Sequence, residues 1–174
     1  MENLEILKSA VRDVPDFPKE GILFKDITPI LRDGRLFSSA IENMLKPFRN
    51  EKIDSIVAIE ARGFIFGGAM AHVLNCGIVP IRKSGKLPSE THSVDYELEY
   101  GTNTLEVHTD AVNRGDRVLL VDDLLATGGT VQGVCKLMEK SGGEIIGISF
   151  LIELSFLKGR EKLKNYPIHS VIKY

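Results

Sequence analysis

The stretch Arg117-Val118-Leu119-Leu120-Val121-Asp122-Asp123-Leu124-Leu125-Ala126-Thr127-Gly128-Gly129-Thr130 decides the fold. Its continuous apolar run reads as a buried strand of a parallel sheet, and Val131, Val134, Cys135 and Met138 then mark one face of a helix. Between the two lie a pair of carboxylates and a turn of small residues. In open α/β sheets, ligands bind beyond the carboxyl ends of the strands. A helix start there presents unpaired N–H groups and partial positive charge, which suit a phosphate. Gly128 and Gly129 let the backbone come close, and the hydroxyls of Thr127 and Thr130 add donors, so Ala126 to Thr130 reads as a phosphate cradle. Asp122 and Asp123 would repel a polyphosphate but accept hydrogen bonds from sugar hydroxyls. Neither G-x-x-x-x-G-K-[ST] nor G-x-G-x-x-G occurs at this turn, which disfavours ATP and NAD. A phosphorylated sugar suits both halves; the plainer alternative is that the acids cap a turn and the glycines serve a tight bend.

Outward from this unit, short apolar runs alternate with helical stretches. Ile56–Ile59, Gly77–Ile81, Thr104–His108, Glu144–Leu154 and Ser170–Lys173 read as strands, and Gly63–Leu74 as a helix apolar nearly all round and buried on several sides. The expected fold class is α/β, a mostly parallel twisted sheet with helices on both faces. Nearer the N-terminus, Leu4, Leu7 and Val11 recur at helical spacing behind Asn3 as N-cap. A second helix starts after Asp33 and carries Phe37, Ile41, Leu45 and Phe48, with Pro47 ending or kinking it. Pro15, Pro18, Gly21 and Pro29 make the intervening segment irregular, so residues 1–33 are expected to form a separately folded N-terminal flap on a single domain spanning 1–174.

Composition bounds the partners. A chain of 174 residues with 43% apolar content fits one domain, and 22 basic against 24 acidic residues give no general attraction to nucleic acid or membrane. Cys76 and Cys135 are far apart, and MENLEILK carries acids where a secretory segment carries bases, so a reduced, cytoplasmic protein is expected. The longest apolar stretch, Ile145–Ile152, is far short of the roughly 20 residues a membrane span needs. His72, His92, His108 and His169 show no metal-ligand spacing.

Residues 118–130 resemble the phosphoribosyl diphosphate motif of the type I phosphoribosyltransferases. Asp13–Pro18, Gly21–Pro29, Ala61–Phe64, Arg82-Lys83 with Gly85–Pro88, Tyr96–Gly101 and Gly159–Leu163 extend the resemblance along nearly the whole chain, toward the members of that family that use adenine. The resemblance implies transfer of a phosphoribosyl group from 5-phospho-α-D-ribose 1-diphosphate to N9 of adenine, giving AMP and diphosphate, with Mg²⁺ carried on the phosphoribosyl diphosphate and a homodimer as the assembly. Asp122 and Asp123 are then expected to hold the ribose hydroxyls, and Ala126, Thr127, Gly128, Gly129 and Thr130 the 5′-phosphate. Arg62, Arg82, Lys83 and Lys86 are expected at the leaving diphosphate, where negative charge grows as the C1–O bond breaks. Glu99 is the candidate acid/base, Tyr100 a substrate contact, and Leu23, Phe24 and Lys25 the adenine-reading segment.

Each assignment has a plainer rival. Residues 82–86 could be a surface charge run. Glu99 could sit in an idle acidic loop, and Phe24 could seal the flap. Lys83 to Tyr100 is expected to form a flexible loop that closes over substrate. Glu2–Glu5 and Arg160–Lys164 read as solvated faces, and Glu60 as an unimportant variation. At the level of function, the alternatives are a phosphoribosyltransferase for another purine base and a non-catalytic sensor of phosphoribosyl diphosphate.

Overall fold

The structure, a computed structural model, describes residues 2–97 and 102–174; Glu99 and Tyr100 therefore lie outside the described residues. The chain opens with helix α1 (Glu2–Ala10), strands β1 (Arg12–Val14) and β2 (Phe24–Asp26), and helices α2 (Thr28–Arg32) and α3 (Gly34–Leu45). Because α1 already includes Asn3, that residue is not its cap. Asp33 does cap α3, its carboxylate accepting from the N–H groups of Arg35 at 2.8 Å and Leu36 at 3.1 Å. Pro47 sits in the single 3₁₀ turn, Lys46–Phe48, that ends this helix.

The body then runs β3 (Ser55–Ile59), α4 (Gly63–Leu74), β4 (Gly77–Lys83), β5 (Thr91–Glu97), β6 (Thr102–His108), β7 (Arg117–Leu125), α5 (Gly129–Ser141), β8 (Glu144–Glu153) and β9 (Ile168–Lys173). Its strands form one sheet in the order β5-β6-β4-β3-β7-β8-β9. In that order β4, β3, β7, β8 and β9 pair in parallel, while at one edge β6 pairs antiparallel with both β4 and β5. Helices α3 and α4 pack on one face around Phe66, Leu119 and Leu151, and α5 on the other around Leu120, Val134 and Phe150, as an α/β pattern requires.

Two expectations change and one is refined. Strand β5 occupies much of the segment read as a flexible loop; its polar composition hid it, because only Val94 and Tyr96 turn inward to pack near Gly133 of α5. The N-terminal flap is present as a small antiparallel hairpin, but the helices around it are anchored in the main core. Leu7, Ile27 and Ile30 are fully buried in the same cluster as Leu119 and Leu151, so only the β1–β2 hairpin stands apart from the sheet. Helix α4 is buried on one side only: Ile65 and Val73 are 44% and 47% exposed, and His72 is exposed beside them.

The buried side of α4 sits unusually close to the sheet. A Cβ on Gly67 would stand 2.5 Å from Cβ of Ala58 in β3, so the helix axis is set by the missing side chain. Gly67→Ala is expected to lower the unfolding free energy by about 1–3 kcal/mol in urea denaturation, since overpacking here outweighs the gain in helix propensity.

Candidate active site

The parallel register brings the ends of β3, β4, β7 and β8 to one edge, and two cavities open there. The first, of about 360 Å³, is lined by Glu60, Ala61 and Arg62 from the β3–α4 turn, Tyr96 from the hairpin, and residues 122–131 from β7 and the start of α5. The second, of about 410 Å³, is lined by Ile22, Leu23, Phe24 and Lys25 on one side and Leu154 and Leu157 on the other. Arg62, Leu124, Ala126 and Thr127 line both, so the two cavities meet at these residues.

The carboxylate pair is held under strain of solvation. β7 pairs with β8 as far as Leu125↔Glu153, which carries Asp122 and Asp123 inside the strand rather than past its end. Asp123 is 5% exposed, and its own N–H donates to Asp122 Oδ1 at 2.9 Å. Burial pushes the Asp122 carboxyl well above its usual range, with the neighbouring Asp123 charge adding to the effect. Burial also raises Asp123, against the pull of Arg62. Arg62 Nη2 lies 2.8 Å from Asp123 Oδ2, but the alignment is that of an ion pair and not of a hydrogen bond. Oδ2 of Asp123 is thus buried with the Arg62 guanidinium as its ion-pair partner and with no well-aligned donor among the described residues.

The cradle itself is a left-handed turn into a helix. Gly128 has φ of 78°, a conformation that costs glycine little, and it hands the chain to α5, whose first N–H groups have no side-chain cap. Ala126, Thr127, Gly129 and Thr130 join Gly128 in lining the first cavity.

Of the expected cations, Arg62 is in the first cavity, and its guanidinium also lies 5.1 Å from the ring centre of Phe24. Arg82, Lys83 and Lys86 are at the neighbouring end of β4 but do not line it. Glu60, passed over in the sequence, organises them. Its carboxylate accepts from Arg82 Nε and Nη2, each at 3.3 Å, and from the Lys83 N–H at 3.1 Å, while Arg82 Nη1 donates to the Lys86 carbonyl at 3.1 Å. Burial alone would raise the Glu60 carboxyl; these donors outweigh it and hold it below its ordinary value.

In the second cavity, Phe24 is half-buried, meets Phe17 edge-on at 5.1 Å and presents itself to the cavity. Lys25 is 9% exposed, and its ammonium is committed elsewhere: Nζ donates to Asp13 Oδ1 at 2.6 Å and lies 3.9 Å from the Tyr174 ring centre. Leu154 and Leu157 carried no signal in the sequence, since an apolar residue after a strand looks like ordinary core. Arg160 keeps solvent contact but is not an idle surface charge; it is paired with buried Glu153 at 2.6 Å. Cys135 is buried, and its thiol is pushed up to about 12 by burial, so it packs and does not react.

Residues 27–172 match the model of the phosphoribosyl transferase domain. The chain is 57% identical to the adenine phosphoribosyltransferase of Halothermothrix orenii over 166 residues, covering 95% of this chain and 98% of that one. It superposes on the crystal structure of adenine phosphoribosyltransferase from Thermoanaerobacter pseudethanolicus with a TM-score of 0.96 at 56% identity, covering 98% of this chain and 99% of the other. The adenine phosphoribosyltransferase of Saccharomyces cerevisiae, solved with an imino-altritol bisphosphate and adenine, superposes with a TM-score of 0.93 at 41% identity over 98% of each chain. With a polar cavity joined to an apolar one at the carboxyl edge of the sheet, and with this similarity across almost its full length, the chain belongs to the phosphoribosyl transferase domain family.

Proposed function

We propose that the protein transfers the phosphoribosyl group of phosphoribosyl diphosphate to N9 of adenine, releasing diphosphate and forming AMP. The observation that carries this reading is the junction of the two cavities at Arg62, Leu124, Ala126 and Thr127, which allows a flat apolar ring and a sugar phosphate to meet at one carbon. The relatives named above are adenine phosphoribosyltransferases, and the yeast structure holds adenine.

In this reading the 5′-phosphate lies on the N–H groups of Ala126–Thr130, and the ribose hydroxyls donate to Asp122 and Asp123. Those carboxylates also face the sugar as positive charge grows on it. Arg82, Lys83 and Lys86 approach the departing diphosphate from β4, with Glu60 fixing the Arg82 guanidinium. Adenine enters between Phe24 and the Leu154–Leu157 wall, and backbone groups of Leu23–Lys25 read its ring edge, since the Lys25 side chain is occupied. Glu99 takes the proton from the ring nitrogen as N9 bonds to C1, and Tyr100 contacts the substrate beside it. Support for both comes from the sequence motif.

No group of three or more metal-ligating side chains occurs among the described residues. The chemistry fits a hard cation whose ligands are mainly diphosphate and ribose oxygens, with Asp122 and Asp123 close to the hydroxyls it would share. When bound, Mg²⁺ neutralises charge on the leaving diphosphate. The exposed apolar side chains Ile65 and Val73 on α4 and Ile78 in β4 support a homodimer. Cytoplasmic work is supported by two free thiols; no helix among the described residues is long and apolar enough to cross a membrane.

Incubation with each purine base, phosphoribosyl diphosphate and Mg²⁺ is expected to yield AMP as the dominant nucleotide; a different dominant product overturns the adenine reading, and ligand binding without diphosphate release favours a sensor. Glu99→Leu is expected to cut kcat by about 10²-fold or more while phosphoribosyl diphosphate binding is retained. Asp122→Asn tests the carboxylate pair through pH. A carboxyl whose folded value is raised holds its proton more tightly folded than unfolded, so stability falls as pH rises from the unfolded value toward the raised one. The variant should therefore melt above the wild type at pH 7, lose that advantage as pH drops below about 4, and turn over more slowly; equal melting at both pH values would refute the assignment.

A further inference from the structure

The segment after β8 touches both cavities. Leu154 and Leu157 line the apolar one, and two residues later Gly159 packs against the cradle. A Cβ on Gly159 would stand 2.1 Å from the Ala126 carbonyl oxygen and 3.0 Å from the Gly128 nitrogen; one on Gly128 would stand 2.5 Å from the Gly159 carbonyl oxygen. The contact is backbone against backbone, so the place of Gly159 fixes the place of the turn, and no side chain is there to absorb a shift.

The next residue holds Gly159. Arg160 donates through Nε to Glu153 Oε1 at 3.1 Å and through Nη2 to Oε2 at 2.6 Å, a fork on a fork. Its Nη1 donates to the Ile168 carbonyl at 3.1 Å, and Nη2 also reaches Ser170 Oγ at 3.3 Å. Glu153 ends β8 and is 5% exposed; the Arg160 hydrogen bonds hold its carboxyl below the ordinary value. On the other side, Leu163 is fully buried in the cluster beneath α5. The guanidinium is thus bound to β8 and β9 and lines neither cavity.

We propose that Arg160 is a positioning residue for the reaction: its bidentate pair with Glu153 clamps the 154–163 segment to the sheet, sets Gly159 against Ala126–Gly128, and so fixes the N–H groups that take the 5′-phosphate. This rests on the reading of that turn as the phosphate cradle. The same clamp sets the Leu154–Leu157 wall, so one residue distant from the chemistry registers the sugar phosphate and the base against each other.

The test compares Arg160→Gln, Arg160→Lys, Gly159→Ala and the double variant Glu153→Gln/Arg160→Gln, which leaves no buried unpaired carboxylate. Melting temperature, steady-state kinetics and calorimetric titration with phosphoribosyl diphosphate and Mg²⁺ are measured on each. Arg160→Gln and Gly159→Ala are expected to raise the KM for phosphoribosyl diphosphate about tenfold or more, with a smaller change in kcat. Arg160→Lys keeps the charge without the fork and recovers only part of the affinity. The double variant is expected to melt near the wild type and still bind phosphoribosyl diphosphate weakly. If it regains wild-type affinity, or if Arg160→Gln folds and keeps the wild-type KM, the positioning role is overturned; should Arg160→Gln not fold, Gly159→Ala decides by the same KM. Wild-type protein that fails to bind phosphoribosyl diphosphate overturns the cradle reading instead.

Discussion

Two carboxylates stand side by side inside a central strand with one arginine for company, and the architecture around them follows from that placement. Desolvation opposes the charge on both, and the charge on Asp123 further opposes that on Asp122. Arg62 offsets part of the cost as an ion pair, yet it leaves Oδ2 of Asp123 without a hydrogen bond. Such an arrangement persists only when the sheet around it is rigid, and β7 is the strand best placed to supply this, flanked in parallel by β3 and β8 and covered on both faces. Stability is surrendered locally, and a fixed set of acceptors is obtained where a ribose can complete them.

Arg62 ties this constraint to the rest of the site. It reaches Asp123 in the polar cavity and the Phe24 ring in the apolar one, so a single guanidinium marks the line along which the sugar and the base would face each other. Glu60, two residues earlier, fixes the neighbouring β4 cations through Arg82 and the Lys83 N–H. One turn after β3 therefore carries Arg62 and orients the basic end of β4.

Much of this was legible in the sequence because its signals are local. The apolar run, the acid pair and the small-residue turn lie within fourteen consecutive positions, and their order alone gives strand, acceptors and cradle. The helix limits at Gly63 and Leu74 follow from composition in the same way. What escaped depends on distant partners. Strand β5 is polar on its outer side and declares itself only when Tyr96 meets Gly133. Glu60 and Arg160 look like any surface charge until their partners arrive from Arg82 and Glu153. Leu154 and Leu157 become a cavity wall only because the N-terminal hairpin stands opposite them.

The contact between Gly128 and Gly159 limits how this protein can vary. Each residue blocks a side chain on the other with its own backbone, so no second-site change in a neighbouring side chain can make room. A lesion at either position therefore has no suppressor short of moving the chain itself, and the two glycines, separated by an entire helix and strand, behave as one inherited unit.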